Sequence, residues 1–185
     1  MPVLLVAATE AEARYLPPGV EVLVTGIGKV AAATALTRRL AAASAEELAG
    51  LSIVNVGTAG ALHPHLSGLF EIGAVLNHEI SADALRTLGY DVRERLFIGG
   101  GETVLATGDV FVTDPVVRDA LAARAQLVDM EGYAVAYVAA EFGVPVRMVK
   151  YVSDTADESA LDWNTAVDRC ARILGDWAAT LSVVE

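Results

Sequence analysis

The chain has 185 residues, enough for one domain (1–185) with a sizeable apolar core. Hydrophobic residues make up 54% and aromatics only 6%, so the core is built mainly from Ala, Val and Leu, and a disordered chain is excluded. The formal charge of −11 argues against unspecific binding to nucleic acid or an anionic membrane, and a single cysteine, Cys170, excludes an internal disulfide and a multi-cysteine zinc site.

The start, "MPVLLVAATEAEA", has no basic region before its short apolar run and reads as a first strand rather than a signal peptide. No apolar stretch is long enough to span a bilayer, so a cytoplasmic protein is expected. "VLLVAA" (3–8) is predicted as a buried strand, and "EAEARYL" (10–16) as a short helix stopped by Pro17, Pro18 and Gly19. A strand over 20–26 leads into a long Ala-rich helix over 28–43. "LSIVNVG" (51–57) is a third strand, running into "TAGALHPHLSG", which reads as a loop. Another strand falls within 71–80. Segment 81–101 has weak periodicity and no assigned element. Strands at 102–108, 126–130 and 145–153 alternate with helices at 114–125, 131–143 and 160–181. Asp114 is the expected N-cap of the first of these helices, with Pro115 at its first position.

Such alternation implies an α/β sheet covered on both faces, with the chemistry gathered where strands end. Three strand-end clusters pair acids in apolar surroundings: Glu10 with Glu12, Asp129 with Glu131, and Asp154 with Asp157. Each acid could simply cap a helix, where the dipole stabilises it by roughly 0.3–1 kcal/mol. Three such clusters with few balancing cations point instead to carboxylates sharing a cleft, as acid, base or hydroxyl acceptor.

Other features are weaker. "TGIGKV" (25–30) places Gly and Lys at a helix start but fails the phosphate-loop spacing, because Leu23 and Val30 stand where Gly and Ser or Thr are needed. His63, His65 and His78 lack metal-ligand spacing and read as surface-loop residues. Cys170 reads as an inert core thiol. Phe111 is either a stacking platform for a planar ligand or a core residue, and Trp163 is core or pocket rim. Spacing alone gives an α/β enzyme with a site rich in carboxylates.

Six segments, "ATEAEA" (8–13), "GIGKVAAA" (26–33), "NVGTAGAL" (55–62), "ATGDVFV" (106–112), "VDMEGYAVA" (128–136) and "VSDTAD" (152–157), together resemble the nucleoside phosphorylase/nucleosidase superfamily. Within it they are most similar to the 5′-methylthioadenosine/S-adenosylhomocysteine nucleosidases. The resemblance implies a three-layer αβα sandwich around a mixed, partly closed sheet, and a homodimer. Its substrate would be a small purine nucleoside, cleaved without metal or organic cofactor. By the same resemblance, Glu12 activates the attacking water and Asp154 protonates the departing purine, with Ser153 supporting it. Glu131 would hold the ribose hydroxyls, with Met130 packed on the sugar. Phe111 would stack on the base and the Val112 backbone read its edge. Thr58, Ala59 and Gly60 form the loop beside the water and sugar. Thr9 stands where an apolar residue often lines the 5′ pocket.

Two departures favour water over phosphate. Asn55 occupies a position where the related phosphorylases carry an arginine, and their Gly-rich arginine loop is replaced by the acidic "TEAEA". Sugar binding calls for an ionised Glu131. Asp129, which the resemblance leaves without a role, is expected to pair with a backbone amide or a basic side chain.

Overall fold

A computed structural model of the chain describes residues 2–183. Eight strands form one mixed sheet: β1 (Val3–Ala7), β2 (Glu21–Val24), β3 (Ser52–Ala61), β4 (Leu69–Asn77), β5 (Arg95–Phe97), β6 (Thr103–Thr107), β7 (Leu127–Asp129) and β8 (Val146–Asp154). Part of this sheet closes on itself. β3 pairs in parallel with β8, β8 antiparallel with β4, β4 in parallel with β6, β6 in parallel with β7, and β7 antiparallel with the end of β3. β1 and β2 extend the sheet from β3, and β5 extends it from β4.

Helices cover both faces, as the alternating pattern requires. α2 (Lys29–Ala41) buries Ala32, Leu36 and Leu40, four residues apart along one stripe. They pack with Leu4, Val6 and Ile53 of the sheet and with Val135 of α6 (Gly132–Glu141). Removing each large apolar side chain from water contributes about 1.5–3 kcal/mol. α6 is buried nearly all round, which matches its uninterrupted run of Ala, Val and Tyr. On the opposite face Leu174 of α7 (Trp163–Ala179) packs on Leu5, Val54, Val56 and Val149. α7 also lies against α1 (Glu10–Ala13): a Cβ on Gly175 would come 2.3 Å from the Tyr15 carbonyl oxygen. Only glycine permits that approach, which holds the turn carrying Glu12 beside α7. α5 (Pro115–Ala122) covers the β6–β7 edge through Leu121, and its cap is as expected, with Asp114 accepting from Val116 N at 2.8 Å.

Three local expectations are corrected. "TAG" is not a loop: β3 continues through Thr58, Ala59 and Gly60 to Ala61, because β8 pairs with it as far as Gly60 and β7 pairs with Gly60 and Ala61. The unassigned segment 81–101 holds α4 (Ala82–Thr87) and β5. A further helix, α3 (Ala45–Gly50), follows α2; its Ser44/Glu47 capping box is a sequence signal the helical run 28–43 obscured. Among the described residues no helix is long and apolar enough to cross a membrane.

Candidate active site

The ends of β1, β7 and β8, the last residues of β3 before Ala61 and the segment after β6 converge on one cavity of about 420 Å³. All twelve residues singled out from the sequence line it: Thr9, Glu12, Thr58, Ala59, Gly60, Phe111, Val112, Met130, Glu131, Ser153, Asp154 and Trp163. They come from six separate stretches of chain, so only the folded sheet and the helices on it bring them together.

Glu12 is the third residue of α1 and closes a capping box with Thr9. One carboxylate oxygen accepts from Thr9 N and Oγ1, both at 3.2 Å; the other accepts from Thr58 N at 2.7 Å and Thr58 Oγ1 at 2.8 Å. Capping and site roles therefore coincide in this residue. Trp163 Nε1 donates to Thr58 Oγ1 at 2.9 Å, so the indole orients the hydroxyl toward the carboxylate. Trp163 is thus a rim residue with a polar task.

Asp154 ends β8. Its Oδ2 accepts from Ser153 Oγ at 2.6 Å and its Oδ1 from Ala156 N at 2.9 Å. Ala156 reaches that position with φ of 49°, a left-handed conformation that costs a non-glycine residue about 1–2 kcal/mol. Asp157, by contrast, is a cap: it accepts from Ser159 N at 2.9 Å at the start of a 3₁₀ turn. Glu10 is exposed on the first turn of α1.

Glu131 is buried and starts α6 without capping it. Its side chain turns away to accept from Gly28 N at 2.8 Å. Gly28 has φ of 94°, which only glycine adopts freely, and this is the use of the "GIGK" turn. Burial, reinforced by the nearby Asp129 charge, pushes the Glu131 carboxyl up to about 7. The expectation of an ionised Glu131 therefore holds only above about pH 7.

Asp129 makes both of the contacts anticipated for it. Its Oδ2 accepts from Gly132 N at 2.8 Å and lies 2.9 Å from Lys150 Nζ, while its Oδ1 accepts from Thr107 Oγ1 at 2.6 Å. The two charged side chains are 3% (Lys150) and 2% (Asp129) exposed. Burial opposes the Lys150 charge, but Asp129, Glu131 and Glu12 outweigh it and raise its pKa. A Cβ on Gly57 would lie 3.1 Å from Glu12 Oε1 and 3.4 Å from Lys150 Nζ, so the two groups approach each other over that glycine.

Phe111 lies 47% exposed on the cavity wall, which removes the core reading, while Val112 beside it is buried in the α5 cluster. Asn55 does not face the cavity. Its Nδ2 donates to the Val6 carbonyl at 2.9 Å, tying β3 to β1.

A family model for the phosphorylase superfamily matches residues 82–178. The chain belongs to the phosphorylase superfamily. Among curated relatives in this superfamily, the aminodeoxyfutalosine nucleosidase of Helicobacter pylori is 37% identical over 82 residues, 43% of this chain; the match spans only 36% of that relative's length. The 5′-methylthioadenosine/S-adenosylhomocysteine nucleosidase of Shewanella putrefaciens is 29% identical over 181 residues, covering 80% of this chain and 75% of the relative. The crystal structure of the corresponding Helicobacter pylori nucleosidase superposes with a TM-score of 0.80 at 22% identity, covering 98% of this chain and 97% of that one. At that identity the likeness is one of fold, and it matches the mixed, closed sheet between helices.

Two buried or half-buried ionisable residues of this superfamily member, Lys150 beneath the site and His78 outside the cavity, were not legible in advance. Lys150 sits in the apolar run "RMVKYV", and a lone lysine in a strand covered on both faces is a signal for a buried ion pair. His78 is not a surface residue: it follows β4 half-buried, its enclosed Nε2 has no partner among the described residues, and burial lowers its pKa. His63 and His65 do lie in the β3–β4 loop, rings 5.8 Å apart, and Cys170 is fully buried in α7.

Proposed function

We propose that the chain is a purine nucleosidase, hydrolysing the N-glycosidic bond of an adenosine-type nucleoside to free base and sugar. The observation that carries this reading is that Glu12, Glu131 and Asp154 open into one cavity with no basic side chain among its described lining residues. A phosphorylase must hold a phosphate dianion against such a wall, and Lys150 is already committed to Asp129. Arg169 lines a separate cleft that shares only Ser153 and Asp154 with the cavity.

In this reading Glu131 accepts the ribose 2′- and 3′-hydroxyls and Met130 packs on the sugar. The base lies against Phe111, with Asp154 at its N7. As the C1′–N9 bond breaks, its electron pair passes to the purine and the Asp154 proton goes to N7. Water adds to the oxocarbenium-like C1′ and gives its proton to Glu12. Thr58 orients Glu12, and Ser153 and Ala156 N orient Asp154. The apolar wall at Ile27, Val110 and Leu161 favours a neutral, apolar 5′ substituent over a charged one.

Free-base release from a panel of purine nucleosides, with and without phosphate, tests the reading. Turnover is expected without phosphate, fastest for 5′-alkylthio adenosines. Strict phosphate dependence with formation of a sugar 1-phosphate would overturn it.

A homodimer is part of the same proposal. Ile27, Val110 and Leu161 at the cavity mouth are exposed, as is the adjacent Val30 at 76%. A second copy covering this rim would remove the exposed apolar surface from water. Sedimentation should show a dimer, and Val30→Asp should shift it toward monomer; a monomeric parent chain would remove the idea.

A further inference from the structure

The "GIGK" turn has a second function beyond serving Glu131. Its next amide, Lys29 N, donates to Asp109 Oδ1 at 2.8 Å. The Lys29 side chain, 19% exposed, pairs with Glu79 and lies 3.6 Å from Asp109 Oδ2 and 3.3 Å from Asn77 Oδ1. The other Glu79 oxygen accepts from Val110 N at 3.1 Å. One ammonium therefore joins the start of α2, the end of β4 and the segment after β6. That segment, 108–114, has no strand or helix of its own and carries Phe111 between Val110, held by Glu79, and the buried Val112.

We propose that Lys29 is a positioning residue for the aromatic platform: through Glu79 and Asp109 it fixes the segment that presents Phe111 to the purine. The proposal rests on the reading of Phe111 as that platform. Among the described residues, Lys29 is the only cation paired with either acid. Glu79 accordingly stays ionised: burial works against it, but Lys29 and the Asp109 and Val110 amides hold its carboxyl at about 2. Without the Lys29 ammonium, Glu79 and Asp109 lose their shared counter-charge and repel each other, and only the backbone-amide bonds to the two acids are left to hold the segment. The same turn holds Glu131 through Gly28 N, so sugar and base contacts share one rigid joint.

The test compares Lys29→Met, Lys29→Arg, Phe111→Ala and the Lys29→Met/Phe111→Ala double variant. Steady-state kinetics with the best nucleoside and inhibition by free adenine are read for each. Lys29→Met should raise KM and the adenine Ki about tenfold, with kcat falling less than about threefold, and Lys29→Arg should recover most of the loss. Phe111→Ala should raise both constants by at least as much, and the double variant should be little worse than Phe111→Ala alone, because both changes disable one platform. Unchanged constants in Phe111→Ala would overturn the platform reading and the proposal with it. Weakened Phe111→Ala beside unaffected Lys29→Met, or fully additive effects, would overturn the proposal alone.

Discussion

Asp154→Asn is expected to lower kcat by about 10²–10⁴ while leaving Tm within a few degrees of the parent. The side chains are isosteric. Asn Oδ1 can keep the 2.9 Å bond from Ala156 N, and Ser153 Oγ can reverse its role and accept from the new amide. What disappears is a proton for the departing base. A ribosyl substrate with a nitrophenolate leaving group needs no such proton and should lose far less rate. Glu12→Gln should differ in two ways. It should slow both substrates, because water must be activated for each. It should also cost about 1 kcal/mol of stability, since the new NH2 must face either Thr9 N–H or Thr58 N–H, each of which needs an acceptor. Base release at saturating substrate, with thermal melts of each variant, checks both statements. Equal losses on the two substrates for Asp154→Asn would remove it from the role of acid.

The site was legible in the sequence to the extent that its side chains follow strand ends. Glu12, Glu131 and Asp154 stand out because acids are expensive within apolar runs, and the fold offers them one place to meet. What could not be read is the pairing across strands. Nothing local says that Lys150 of β8 neutralises Asp129 of β7, because that contact exists only once both strands line the closed part of the sheet. The same holds for Gly28, whose amide meets a residue 103 positions away. The extension of β3 through "TAG" was hidden for a related reason. Small residues look like a loop, yet Gly60 is where β7 and β8 both reach the strand, and a Cβ there would lie 3.0 Å from Asp154 Oδ1 and Ala156 Cβ. By contrast α3 announced itself locally through Ser44 and Glu47, and the weak pattern of 81–101 reflects elements of six and three residues.

Glu131→Gln should weaken nucleoside binding and yet stabilise the empty protein at alkaline pH. The buried Glu131 carboxyl titrates at about 7 in the folded chain, against about 4.3 unfolded. A raised acid binds its proton more tightly when folded. Stability is therefore highest below about pH 4 and falls as the unfolded chain ionises first, and the loss is complete above about pH 7. At one unit per 1.36 kcal/mol, the burden of this carboxylate at pH 8 is on the order of 3 kcal/mol. Glutamine keeps an oxygen for Gly28 N and carries no charge to bury, so a gain on the order of 1–3 kcal/mol is expected at pH 8 and under about 1 kcal/mol near pH 4.5. Urea melts at the two pH values measure it, and a variant destabilised at pH 8 would contradict the charge argument. Function should move in the opposite direction. The sugar hydroxyls donate best to an ionised acceptor, so the parent should bind nucleoside more tightly as pH rises toward 7 and release a proton on binding below it. Glu131→Gln should bind about 10–100-fold more weakly at pH 8. It should also lose both the pH dependence and the released proton, which titration calorimetry in buffers of different ionisation enthalpy would register directly. The carboxylate that strains the empty site is then the one whose charge the substrate's hydroxyls stabilise, so binding relieves a cost already present in the fold.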